Sequence, residues 1–333
     1  MTKHMRNLDI AKGMCMLFMI TCHVFGWTGY LSIVNKYTAI FFLVFFFFSA
    51  GICFKGNEKF IPYILKRIKK LLIPYTAITI IYFAYYGYVG KNFAGYEVLA
   101  IMKRCLVSLI VASPSWISDV SFFHVDNISV GPAWFWSCLF FSYFLYFFIY
   151  KFKYRLFLSV ILSAISAWSM QKFILPFNIQ VALVGCMFMA IGDCLREYII
   201  IFFDWIKRCK LYQNTLITVG IGVVFFITIN KLPYQWMNLG ANQYFMISII
   251  STLLGFALMM SFIEIMEKIK IGDKLLEYIG LNSMFILAIH HIDIMMFRNW
   301  GTFQLEPSQL TASCLLGYLF IVMIKDKFFV SEK

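Results

Sequence analysis

Apolar residues run along this chain in blocks long enough for a helix to cross a membrane, which takes ~20 residues for a hydrocarbon core of ~30 Å. The blocks fall at 8–30, 35–54, 71–90, 132–150, 155–171, 177–198, 213–231, 244–264, 279–298 and 309–328. Polar or basic connections separate them, most of them short. The pattern predicts an all-α, polytopic membrane helix bundle of about ten transmembrane helices. It leaves no room for a separate soluble domain, so 1–333 reads as a single integral membrane domain. The one long connection is 91–131. Its segment 97–113 (EVLAIMKRCLVSLIVAS) is apolar but interrupted by Lys103 and Arg104. It reads either as an eleventh span or, being amphipathic, as a segment that lies in the membrane interface or packs over the bundle, and the second is the expectation adopted.

Composition points the same way. Hydrophobic residues make up 62% of the 333 and charged residues only 14%, where a soluble domain carries about 25% charged. Mean hydropathy is +0.80. The N-terminus begins with Lys3 and Arg6 ahead of an apolar stretch, yet that stretch holds Asp9, Lys12 and His23, and no small-residue cleavage site follows. It reads as a retained first span and not as a cleaved signal peptide. The nine cysteines are scattered without a CxxC pair. Most lie in apolar blocks, where cysteine acts as a small hydrophobe, so neither a disulfide framework nor a metal site is expected.

A net charge of +13 suggests nucleic acid only until topology is considered, because Lys and Arg accumulate in cytoplasmic loops. With the N-terminus inside, the cytoplasmic segments are the N-terminal stub, 55–70, 151–154, 199–212, 265–278 and the tail. With charges at span boundaries assigned to the nearer loop, seven of the 29 basic residues then fall outside (Lys36, Lys91, Lys103, Arg104, Lys172, Lys231 and Arg298), Lys12 lies in a span, and the other 21 are inside. Both termini are therefore expected in the cytoplasm, with no nucleic-acid partner. Tyr30, Trp134, Tyr150, Trp205 and Trp300 sit near span ends, as interfacial aromatics do. The run FFLVFFFF at 41–48 reads as lipid-facing bulk, and no internal repeat is visible.

Charged groups are costly in lipid, which makes those inside a span candidates for function. Asp9 and Lys12 are three apart and can pair on one helix face. Eleven residues separate Lys12 from His23, within ~20° of three full turns, so the three share a stripe with His23 ~16 Å further along. Such a stripe is expected to face the bundle interior. The plain alternative is a chance buried histidine beside ordinary flanking charges. Lys66, Arg67, Lys69 and Lys70 form a basic cluster at the mouth of the third span, which reads either as simple anchoring or as a cradle for an anionic group. His290 and His291 are adjacent, so their side chains diverge by ~100° and cannot act as an i,i+4 metal pair. One is free to line a cavity, while a satisfied structural role suits His291. His124 and Asp126 read as loop polarity, and Asp193 as the partner of Arg196.

The order Asp9-x-x-Lys12-Gly13, then His23, resembles the first-helix signature of the acyltransferase-3 family of integral membrane O-acyltransferases. Other landmarks resemble that family in order along nearly the whole chain. They are Ser49-x-Gly51 at the end of the second span, Arg67-x-x-Lys70 followed by Pro74, GPAWFW at 131–136, and GLNSMFILAIHH at 280–291 with His290 on the family histidine. Lys12 and Lys70 stand where family members often carry arginine. They keep the charge but not the planar guanidinium fork.

The resemblance implies a membrane O-acyltransferase that moves an acyl group, acetyl in most members, from acyl-CoA to a hydroxyl of an envelope or extracellular glycan. Acetyl-CoA would be a co-substrate and not a resident cofactor, and no metal is implied. The partners would be acyl-CoA, a glycan or lipid-linked saccharide acceptor and membrane lipids, in a multi-pass protein of the bacterial cell membrane. His23 is the expected catalytic residue, as general base or as acyl carrier. Asp9, Lys12, Lys66, Arg67, Lys69 and Lys70 would bind or support the donor, and Trp134, Asn282, Ser283 and His290 would line the cavity or meet the acceptor. The chain ends soon after the last span, so no fused outer hydrolase-type domain is expected. From another class, a transporter or flippase for a lipid-linked sugar would use the same polar stripe as a path.

Overall fold

A computed structural model describes residues 6–25, 36–93, 95–113, 117–120, 125–170, 173–231, 245–297 and 307–329. Tyr30, His124, Lys172, Arg298 and Trp300, singled out above, lie outside these residues, as do the ends of the first and ninth predicted spans. The helices are α1 (Arg6–Phe25), α2 (Val44–Ile52), α3 (Phe60–Arg67), α4 (Ile73–Phe93), α5 (Val98–Val111), α6 (Trp134–Ile149) and α7 (Arg155–Ser169). They continue with α8 (Ile179–Cys194), α9 (Arg196–Arg208), α10 (Leu211–Ile229), α11 (Phe245–Ile269), α12 (Asp273–Leu281), α13 (Ser283–Ile292) and α14 (Pro307–Phe329). Every predicted span falls on one or more of them.

Among the described residues, five helices are long and apolar enough to cross a membrane: Phe60–Asn92, Gly131–Ile149, Pro176–Cys194, Leu211–Ile229 and Phe245–Ile269. A sixth is present if α12 and the segment Ser283–Met296, broken at Asn282, count as one span. Four expected spans fall outside this set: α2 has nine residues and α7 fifteen, short of the ~20 a full crossing takes, and α1 and α14 are not among the helices that qualify.

Three sequence expectations change. The basic segment 55–70 is largely helix, since α3 runs through a π turn at Ile68–Leu72 into α4 as one 33-residue helix. The stretch 199–212, expected as a loop, holds most of α9. The connection 91–131 carries α5 and a short antiparallel pair, β1 (Ile117–Val120) and β2 (Val125–Asn127), with Ile117 opposite Asn127 and Val120 opposite Val125. Asp126 lies in β2. This pair is the one sheet among the described residues.

The chain divides into two compact units. The first comprises Met1–Phe54, Ile191–Ile286 and Gln304–Lys333. Its core contradicts the lipid-facing reading of the phenylalanine run: every residue from Phe41 to Phe48 is buried. Phe41 meets Phe18, Phe225 and Phe256 edge-on at 6.0–6.5 Å, and Phe48 lies 4.6 Å from Phe256. A helix that is apolar all round belongs inside a bundle, where other helices cover each side. The expected pair forms as well. Arg196 donates to Asp193 at 2.8 Å and to the carbonyls of Gly51 (3.2 Å) and Phe54 (2.6 Å). It thereby caps the end of α2, where carbonyls have no helical partner.

The second unit comprises Lys55–Ala190 and Leu287–Phe303. Small hydroxyls tie its helices together. Ser142 on α6 donates to the Ala182 carbonyl on α8 at 2.9 Å, and Tyr75 on α4 to the Leu109 carbonyl on α5 at 2.8 Å. Gly131, at the entry to α6, has φ +50°, and an ideal Cβ there would fall on the Met295 sulfur, with Met295 Cγ at 2.9 Å. The left-handed backbone angle favours glycine at that turn.

Candidate functional site

The first unit holds the polar stripe, and its geometry starts with how α1 is fixed. Arg6 opens the helix and reaches three carboxylates, Glu267 (2.6 Å), Asp273 (2.6 Å) and Glu277 (2.7 Å). The hydrogen bonds to Asp273 and Glu277 push the guanidinium's pKa up, so Arg6 stays charged. Two turns on, Gly13 crosses Gly280 of α12. An ideal Cβ on Gly13 would strike the Leu276 carbonyl, with its carbon 2.7 Å away, and one on Gly280 would strike the Asp9 carbonyl, carbon also 2.7 Å away. Backbones that approach this closely tolerate no side chain, the usual way helices lock together in a membrane. Gly13 sits in the family signature, but nothing local in the sequence pairs Arg6 with its distant carboxylates. The only sequence signal for the Gly13–Gly280 crossing is a glycine in each of two distant motifs.

Along α1, Asp9 is buried and Lys12 half-buried, and Lys12 Nζ lies 3.2 Å from Asp9 Oδ1, the pair expected from their spacing. His23 sits two residues before the helix end and is exposed. The stripe expected to face inward therefore does so at Asp9 and Lys12 but opens outward at His23. Asn282 and Ser283 lie at the break between α12 and α13. Asn282 accepts from Lys325 Nζ at 2.7 Å and donates to the Tyr278 carbonyl at 3.0 Å, while Ser283 is buried. Tyr278 in turn donates to Asp326 at 2.8 Å, so this end of α14 is tied to α12.

The second unit carries the basic cluster. Lys66, Lys69 and Lys70 are exposed, but Arg67 folds back. Its guanidinium lies 3.3 Å from Glu58, 3.8 Å over the ring of Tyr63 and 5.0 Å from that of Tyr143. A guanidinium already paired and stacked is committed to the fold. The four cations thus divide into one structural arginine and three outward lysines, at a π turn of the kind that often marks functional positions. Trp134 begins α6 half-buried, edge-on to Phe135 at 6.1 Å, and its neighbour Trp136 is fully buried. His290 is fully enclosed and presents no surface to an open cavity.

His291 is equally enclosed, edge-on to Tyr82 at 5.8 Å. Neither of its ring nitrogens has a hydrogen-bond partner among the described residues, so it is not the satisfied histidine expected from the sequence. Among the described residues no group of three or more His, Cys, Asp or Glu is placed to hold a metal ion.

Of the five histidines in the chain, His23 alone among those described is exposed, at the far end of the helix that the Arg6 cluster and the Gly13 crossing hold. The family model described as an acyltransferase domain, that of acyltransferase-3, matches residues 5–326. No curated protein and no solved structure matches the chain. The match takes in α1 with its polar stripe, the basic cluster and the α12–α13 break, and extends over nearly the whole sequence: the chain belongs to the acyltransferase-3 family of membrane acyltransferases.

Proposed function

We propose that this protein transfers an acetyl group from acetyl-CoA to a hydroxyl of an envelope or extracellular glycan, at a bacterial cell membrane that it crosses about ten times with both termini in the cytoplasm. The observation that carries the reading is the exposed His23 on a rigidly held α1, in a chain matched by the acyltransferase model from 5 to 326. The reaction needs a base for the acceptor hydroxyl. As the hydroxyl oxygen attacks the thioester carbon, a C–O bond forms, the C–S bond breaks, and the hydroxyl proton passes to the His23 imidazole. The coenzyme leaves as its thiolate and is reprotonated in water. A relay, in which the imidazole first takes the acetyl group and releases the thiolate, balances equally well.

Lys66, Lys69 and Lys70 supply three exposed cations within five positions, suited to the phosphates of coenzyme A. Arg67 is left to hold α3 against Glu58 and Tyr63. Asp9 and Lys12 lie ~16 Å or more from His23 along the helix and act as a structural pair or at the donor, not in proton transfer. Purified protein in lipid nanodiscs, given radiolabelled acetyl-CoA and an envelope glycan fraction, is expected to release coenzyme A and label the glycan. Sugar-lipid counterflow without coenzyme release would refute the proposal and favour a transporter.

A further inference from the structure

The segment between α8 and α10, expected as a plain loop, is a helix with three distinct sides. At 100° per residue, Phe203 and Ile206 share the side packed into the unit, and both are buried. Tyr198, Ile201 and Trp205, at i, i+3 and i+7, form a second stripe, with exposures of 71%, 64% and 51%. Glu197 and Asp204 lie ~20° apart on a third side and are exposed.

Both ends of α9 are held. At its start Arg196 is bound to Asp193 and to the end of α2. At its finish Lys268 of α11 donates to the carbonyls of Ile206 (3.1 Å) and Cys209 (2.5 Å). The fold therefore fixes which side of the helix is left uncovered, and that side is aromatic and aliphatic.

The surroundings say what covers it. The candidate spans Pro176–Cys194 and Leu211–Ile229 end one residue before α9 and begin two residues after it. A 13-residue helix set between two membrane crossings is too short to cross itself, since that takes ~20 residues. It lies where those spans meet the headgroups. A helix in that plane buries an apolar stripe at the acyl boundary, keeps its polar side in water and favours cations beside lipid phosphates. Lys207, Arg208 and Lys210, all exposed, crowd the last turn and the two residues that follow.

We infer that α9 is an interfacial membrane anchor, with Tyr198, Ile201 and Trp205 in the lipid and Lys207, Arg208 and Lys210 engaging anionic phospholipid headgroups. The inference is independent of the acyl chemistry.

The test uses the full chain in nanodiscs of mixed phosphatidylglycerol and phosphatidylcholine. The photocrosslinker p-benzoylphenylalanine is placed singly at Ile201, Trp205 or Asp204, with a control at Val219 on an exposed side of α10. Phospholipid adducts are expected at 201, 205 and 219 and not at 204. Chain-to-chain adducts at 201 and 205 would mean a second copy covers the stripe and would overturn the inference. So would absence of lipid adducts there while Val219 gives them.

A second arm compares the wild type with the Lys207→Gln/Arg208→Gln/Lys210→Gln variant by native mass spectrometry of co-purified lipid. Preference for phosphatidylglycerol should fall by about fivefold per charge removed. An unchanged preference would overturn the assignment of headgroups to these cations.

Discussion

The crossing of α1 and α12 converts a single methyl group into a displaced reaction centre. In Gly13→Ala the new Cβ would lie 2.7 Å from the Leu276 carbonyl carbon and closer still to its oxygen, where ordinary contact begins at 3.4 Å. Backbone carbonyls inside two helices cannot rotate away, so relieving the shorter contact, the one to the carbonyl oxygen, parts the helices by about 1.5 Å. How far His23 moves depends on where α1 pivots. The Arg6 ion cluster fixes one end, ~10 Å below Gly13, and His23 lies ~25 Å from that anchor at 1.5 Å per residue. A tilt about Arg6 therefore carries His23 by roughly 3.7 Å, and a rigid translation by roughly 1.5 Å. Misplacement of a reacting group by ~1 Å can cost on the order of 10²-fold in rate, while overpacking typically costs about 1–3 kcal/mol in stability. Acetyl transfer and thermal unfolding in detergent should be measured for Gly13→Ala and Gly280→Ala. Gly220→Ala on α10, where nothing lies within 4 Å of the new carbon, serves as control. Both crossing variants should lose most activity and the control none. Wild-type activity in Gly13→Ala and Gly280→Ala would show that α1 is not positioned by this contact.

His23→Ala and His23→Gln should both lose transfer by about 10²–10⁴-fold with insertion unaffected; substantial activity in the Gln variant would remove His23 from the chemistry. Changing Lys66, Lys69 and Lys70 to Gln should raise the apparent KM for acetyl-CoA several-fold with kcat nearly constant, at up to about 1 kcal/mol per exposed charge. Arg67→Gln should instead lower thermal stability, because it unpairs Glu58 and uncovers two tyrosine rings, and a pure KM effect there would contradict the structural role. Arg6→Gln leaves Glu267, Asp273 and Glu277 facing one another without their cation. The unfolding temperature should drop and partly recover in Arg6→Gln/Glu267→Gln, and no recovery would mean that repulsion is not the cause. In a variant that keeps Cys53 as its one cysteine, an impermeant maleimide should reach that exposed thiol in inverted vesicles but not in intact cells. Labelling in intact cells would reverse the orientation.

The sequence by itself determined the class of the protein and its local pairings. Runs of ~20 apolar residues form helices because backbone groups in lipid must be satisfied within the segment, and each predicted block lies on helix. Asp9 with Lys12 and Asp193 with Arg196 were legible because residues three apart meet on any α-helix, whatever surrounds it. The family signature singled out His23 and Gly13 by order and spacing alone.

Tertiary structure decided what helical period cannot encode, namely which face meets which neighbour. Arg6 finds its carboxylates 261 to 271 positions away, and Gly13 finds Gly280 across a helix crossing. The phenylalanine run looked suited to lipid, but apolar surface is equally at home in a protein core, and only packing shows that Phe41–Phe48 lies inside. Packing likewise turned Arg67 inward onto Tyr63 while leaving three neighbouring lysines outside. It also enclosed His290 and opened His23. Both are histidines in apolar helices, and access to a reactant is set by what other segments cover.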